Sequence, residues 1–213
     1  MTLGMILSLN MKNNIIKFLL EAIKWRAFVL YGFIRSFFFQ ENSMKSPDRI
    51  TLENKILPEI ANIKKNGKVL FVGCEWYTHF YSKWFNEQNY WTIDPIKRVS
   101  KYGSKNHICD KLINIDKYFK KKELDLIICN GVIGYGLNDK NEAETSFNKC
   151  YEILKKHGLL IIGWNRINNI NHFDPRDLQI IKKYRKYEFK LLKTDRYIVE
   201  SKLPHIYDFY EKN

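Results

Sequence analysis

The chain is short of the residues that mark several common functions. Its four cysteines, Cys74, Cys109, Cys129 and Cys150, form no CxxC pair, and its five histidines show no ligand spacing. That excludes a zinc framework and leaves the metal expectation at none. Three of the cysteines sit at strand ends beside apolar runs, which predicts buried thiols in a reducing, cytoplasmic setting. Residues 1–11 carry no charge, but the apolar run is too short for a membrane span and lacks the basic segment of a signal peptide. Charge of one sign is not concentrated anywhere. The net +13 divides into +5, +4 and +4 over residues 1–67, 68–164 and 165–213. No basic stripe stands out, so a nucleic-acid partner is not expected.

What the chain has is enough apolar residue to fold: 45% hydrophobic, 15% aromatic, in 213 residues. The pattern divides it into an amphipathic helical extension, 1–45, and an α/β domain, 46–213. In the extension, Ile16, Leu20, Ile23, Ala27, Leu30 and Ile34 recur at spacings of four and three, one face of a helix. That face has three readings: it packs on the core or covers a ligand site, it lies on a membrane, or it contacts another copy. Residues 12–39, with Phe37-Phe38-Phe39 and basic flanks, support peripheral contact at the inner membrane face. Oligomeric state is not encoded legibly.

The domain opens with a helix start at Ser46-Pro47-Asp48 and a stop at Asn66-Gly67. Lys68 to Asp94 then reads strand (69–72), turn at Gly73, helix (78–88) and strand (90–93). Asp94 lies 21 positions after Gly73, near the offset at which nucleotide-binding βαβ units place a ribose-holding carboxylate. A carboxylate suits that task because it accepts two hydrogen bonds from vicinal hydroxyls. Further strands follow at 107–109, 126–129 and 159–164, with a helix over 141–156 before Gly158. Two strand-like runs, 196–201 and 205–211, make a closing hairpin. Alternating strands and helices predict a Rossmann-like parallel sheet with helices on both faces and a C-terminal antiparallel hairpin. Polar residues Asp94, Asp110, Asn130 and Asn165 fall at the strand ends, where such sheets bind ligands.

In this order the pieces VLFVGC, TID, HICD, ELDLIICNGVIGYG, LKKHGLLIIGWN and HIYDFYEK resemble the class I S-adenosylmethionine-dependent methyltransferases over residues 50–213. The resemblance implies S-adenosylmethionine as cofactor and methyl transfer to a small-molecule or glycan-like acceptor, on oxygen or nitrogen. It implies Gly73 and Cys74 at the cofactor backbone, Asp94 on the ribose and Asp110 on the adenine amine. Asn130 and Gly131 would form the floor near the methyl. Glu75 has two readings, a contact to the cofactor ammonium or a solvated helix-start carboxylate. His172, in the loop after the fifth strand, is the candidate base; His79, in the first helix, is the lesser one. Tyr135, Tyr77 and Trp164 are candidates to line the pocket. The first loop has one glycine where the family usually has two or three. An alternative function follows from that: a catalytically inactive protein of the same fold that holds a partner or a membrane.

Overall fold

The structure, a computed structural model, describes residues 45–166, 173–201 and 203–213, together with Ile23, Arg26, Ala27 and Leu30. The chain divides into two compact units, Met1–Asn42 and Ser43–Asn213. In the first unit the four described residues are helical and exposed; the rest of the membrane reading of residues 12–39 lies outside the described residues. No helix among the described residues is long and apolar enough to cross a membrane.

Among the described residues the second unit has eight strands: β1 (Val69–Val72), β2 (Tyr90–Ile93), β3 (Asn106–Ile108), β4 (Leu124–Asn130), β5 (Leu154–Asn165), β6 (Tyr184–Lys186), β7 (Arg196–Val199) and β8 (His205–Lys212). Their order is β3-β2-β1-β4-β5-β8-β6, with β7 also on β8. Strands β1 to β5 run parallel, and β8 pairs antiparallel to β5. The expected hairpin is present, Arg196 facing Asp208 and Val199 facing His205. Because β1 leads outward to β2 while β4 lies on its other side, the strand order reverses at β1/β4, and the crevice of such a sheet opens there.

The short apolar strands are central because both their faces are covered. Leu70 and Val72 of β1, with Ile127, Leu160 and Ile162, pack into one layer with Ile115, Phe147 and Ile153. Val69 and Phe71, with Leu126, Ile128 and Ile161, pack into the other with Leu52, Ile56, Ile60 and Tyr81. The first layer carries helix α3 (Lys140–Ile153). The second carries α1 (Pro47–Thr51) and α2 (Leu57–Ile63), joined by a π-helical turn at Leu52–Ile56. Pro58 explains the widened turn: it has no N–H to donate, and its ring needs room beside the Asn54 carbonyl.

Three elements differ from the sequence expectation. The helix after Gly73 is a 3-10 helix at Trp76–Trp84, not one over 78–88. Thr78 and Tyr81 are buried and Trp84 is packed against the same layer, so every third residue faces inward, which three residues per turn satisfies. Helix α3 ends at Ile153, and Gly158 lies inside β5 instead of capping the helix. Lys122 and Glu123 donate to the Glu152 and Ile153 carbonyls, pulling the helix end into pairing beside β4. Lys155 to Gly158 then bulge, with His157 at φ 61°. Strand β6 is not among the strands expected from the sequence; it pairs with the outer edge of β8.

Candidate functional site

Gly73 ends β1 at φ +90°, a conformation costly for any residue with a Cβ. A Cβ there would also lie 2.9 Å from Val132 Cγ2, so the β1 turn and the β4 loop approach closely only because the side chain is missing. The next amide, Cys74 N–H, donates to Asp94 Oδ2 at 2.9 Å, and Ile96 N–H donates to Asp94 Oδ1 at 2.8 Å. The acid that closes β2 is therefore tied to the turn that closes β1. Asp94 is 9% exposed. Each of its oxygens accepts one of these backbone bonds and keeps a second lone pair.

The loop side chains are held more firmly than the sequence suggests. Cys74 is buried, and burial, with the nearby Asp94 charge, pushes its thiol up to about 12. It is a packing thiol. Glu75 caps the 3-10 helix: its carboxylate accepts from Trp76 N–H at 3.3 Å, and its own N–H donates to Thr78 Oγ1 at 3.0 Å. Partial burial raises its carboxyl above the ordinary range, opposed by the Trp76 amide and Arg98 and reinforced by Asp94.

Arg49, which the sequence reading did not single out, reaches this site from α1. It is buried, and its guanidinium lies over the Tyr77 ring at 4.4 Å. Nη1 donates to Tyr81 Oη at 3.3 Å. Nη2 lies 3.6 Å from where a Cβ on Gly131 would stand. Nε has no hydrogen-bond partner among the described residues, and the Asp48 carboxylate is 3.7 Å away. Burial opposes its charge, yet the surrounding tyrosines Tyr81, Tyr77 and Tyr207 raise its pKa on balance. This is a buried cation with donors to spare.

At the ends of β4 and β5 a polar chain crosses the sheet. His205 Nδ1 is 2.6 Å from Asn165 Oδ1, and Nε2 is 3.2 Å from Asn130 Oδ1. Asn165 Nδ2 donates to Tyr135 Oη at 3.1 Å. His205 is 2% exposed, and burial drives its pKa down to about 4, so the ring is neutral near pH 7. The Asp48 charge opposes that shift and Arg49 adds to it. Gly131, at φ +69°, follows Asn130 and donates its N–H to the Gly163 carbonyl at 2.8 Å.

The remaining candidates lie apart or are otherwise engaged. Asp110 accepts from Lys111 N–H and Asn114 Nδ2 on Oδ1 and from Tyr118 Oη on Oδ2, which leaves one lone pair on Oδ2. The Asn114 and Lys111 hydrogen bonds hold its carboxyl below the usual range. His79 is exposed on the 3-10 helix. His172 lies outside the described residues. Tyr135 is 58% exposed and joins the chain through Asn165. Trp164 is buried and donates Nε1–H to Asp208 at 3.0 Å.

No protein-family model and no curated protein matches this sequence. Solved structures do. The N-methyltransferase NodS from Bradyrhizobium japonicum WM9 superposes with a TM-score of 0.57 at 13% identity, covering 78% of this chain and 98% of that one. The 1,6-didemethyltoxoflavin-N1-methyltransferase of Burkholderia thailandensis, solved with 1,6-didemethyltoxoflavin and S-adenosylhomocysteine, gives 0.56 at 13% identity, covering 89% and 90%. A TehB-like methyltransferase from Corynebacterium glutamicum gives 0.55 at 14% identity, covering 91% and 96%. The fold is that of the class I methyltransferases. In this methyltransferase fold the Gly73–Asp94 pair occupies the ends of β1 and β2, beside the point where strand order reverses.

Proposed function

We propose that the chain is an S-adenosylmethionine-dependent methyltransferase acting on nitrogen or oxygen of a small-molecule or glycan-like acceptor. The observation that carries this reading is the buried Asp94 carboxylate, bonded to the backbone of the glycine turn and keeping a lone pair on each oxygen. Two vicinal ribose hydroxyls need that pair of acceptors. The residues around it fit the rest of the cofactor. Gly73 and Cys74 give a close backbone, and Asp110 offers its one remaining lone pair to the adenine amine. Arg49, with an unused Nε–H, is suited to a carboxylate. Glu75, on the same stretch of chain as Tyr77, is suited to an ammonium.

When bound, the cofactor supplies an electrophilic methyl group on sulfur. The chain's own work is to orient an acceptor, exclude water and take up a hydrogen bond or proton from the acceptor. Asn130 and Gly131 are proposed for the floor of that site, and His172 as the base. Calorimetry with S-adenosylhomocysteine tests the reading; no binding heat and no thermal shift with either cofactor form would overturn it.

A second reading, a non-catalytic scaffold of this fold, is favoured by one observation. The Glu75 side chain and Thr78 are both committed to capping the 3-10 helix in a loop with a single glycine. A scaffold would ignore the cofactor in a thermal-shift assay.

A further inference from the structure

His205, at the start of β8, and Asn130, at the end of β4, face each other across Gly163 of β5, and their contact bears on which atom of the amide is which. The ring is buried and neutral, so only one of its nitrogens carries a hydrogen. As placed, Asn165 donates Nδ2 to Tyr135 Oη and turns Oδ1 to His205 Nδ1 at 2.6 Å. In that arrangement Nδ1 is the protonated nitrogen and Nε2 is an acceptor. Asn130 Oδ1 at 3.2 Å from Nε2 would set two acceptors against each other, while Asn130 Nδ2 is buried with no partner among the described residues. A half-turn of the Asn130 amide removes the clash of acceptors: Nδ2–H donates to Nε2, and the oxygen takes the place of the unpartnered nitrogen. Asn130 is itself 4% exposed. The room for this pair comes from Gly163 of β5, where a Cβ would collide with the Asn130 amide and stand 2.9 Å from His205 Nε2.

The consequence is a buried acceptor atom in the place of Nδ2, at the end of β4 and next to the positive-φ Gly131. A buried unpaired carbonyl is costly, and an incoming N–H or O–H would satisfy it. We propose that His205 is a positioning residue that holds Asn130 with its carbonyl oxygen toward the acceptor subsite, selecting acceptors that present an N–H or O–H at the methylated atom. This rests on the methyltransferase reading for the identity of the subsite, but not for the hydrogen-bond directions. Tyr135 belongs to the same chain: with its oxygen accepting from Asn165, its own O–H points away from Asn165 and is available to a ligand.

Nitrogen-15 spectra of the full chain, selectively labelled at histidine and asparagine, test the geometry with and without S-adenosylhomocysteine. The expected result is a neutral, Nδ1-protonated His205 from pH 8 down to about pH 5, with scalar coupling across the Asn130 Nδ2–H···Nε2 bond. His205→Gln keeps an acceptor for Asn130 Nδ2 and holds the Asn130 amide signal in its hydrogen-bonded position, whereas His205→Leu releases it. An Nε2-protonated ring, or no coupling together with an Asn130 amide unmoved in His205→Leu, would overturn the proposal. Radiolabelled S-adenosylmethionine incubated with a small-metabolite extract tests the acceptor class. The label is expected on nitrogen or oxygen, and a product methylated on carbon or on a thioether overturns the selectivity. Failure of S-adenosylhomocysteine to bind would count against the methyltransferase reading and leave the coupling measurement intact.

Discussion

The Cys74 amide and the Asp94 carboxylate, 20 residues apart, are joined by a 2.9 Å hydrogen bond that closes the tips of β1 and β2 into one unit. A ligand bound to Asp94 is thereby coupled to the turn at Gly73. The turn is tied down by this bond and lies close against Val132, in a loop that carries a single glycine.

Arg49 is expected to separate ligands with and without an amino-acid tail. Its unused Nε–H and its place beside Gly131 suit the carboxylate of an amino-acid tail. Arg49→Gln is expected to weaken S-adenosylhomocysteine by at least about tenfold, the worth of one charge-assisted pair. Binding of 5′-methylthioadenosine, which has no such tail, should stay within about twofold of its wild-type value. Parallel calorimetric titrations check both, and equal losses for the two ligands would show that Arg49 acts only by packing.

His205 makes stability depend on pH. Its pKa is near 6.5 unfolded and about 4 folded, lowered by burial in spite of Asp48. The unfolded chain therefore binds the proton first as pH falls. Stability from this group is full above pH 6.5 and drains between 6.5 and 4, by about 3 kcal/mol in total. The groups facing the ring are Asn130 and Asn165 from the strands and Asp48 and Arg49 from α1. Urea melts of wild type and His205→Gln across that range check it; the variant should show a flatter profile in this window.

The central strands and the Gly73–Asp94 pair were legible in the sequence because each is local. Four apolar residues closed by a glycine, and four more closed by an acid, carry their own signals. The buried histidine and arginine carried none. His205 read as the first residue of a strand run, and it meets Asn130 only because β8 folds back beside β5. Arg49 sat in a short helix before the sheet, with no spacing rule to connect it to Gly131. The 3-10 helix was missed for a different reason: WYTHFYSKW satisfies a rough helical pattern, while its inward positions 78, 81 and 84 fit a tighter turn. Strand β6 has three residues and takes its identity from the edge of β8.

Gly163 has no room for a side chain. Gly163→Ala would drive a Cβ into the Asn130 amide and is expected to cost about 1–3 kcal/mol, by overpacking. Thermal melting measures this, and an unchanged midpoint would mean that the Asn130–His205 pair yields without cost.

Asp208 anchors the closing hairpin. It is 0% exposed and accepts from Arg176 Nε, from Nε and Nη2 of Arg196, and from Trp164 Nε1. Asp208→Ala leaves two arginines without their buried partner and should destabilise the chain by about 3 kcal/mol or more. Denaturant unfolding checks the value; a loss within about 0.5 kcal/mol would assign the arginines wholly to Asp174 and Asp195.

The most direct measurement is a calorimetric titration of S-adenosylhomocysteine into wild type and Asp94→Ala. Binding by the wild-type chain, weakened at least about tenfold in the variant, is the predicted outcome. Equal affinity in the two proteins, or no binding heat in either, would contradict the assignment of Asp94 to the ribose.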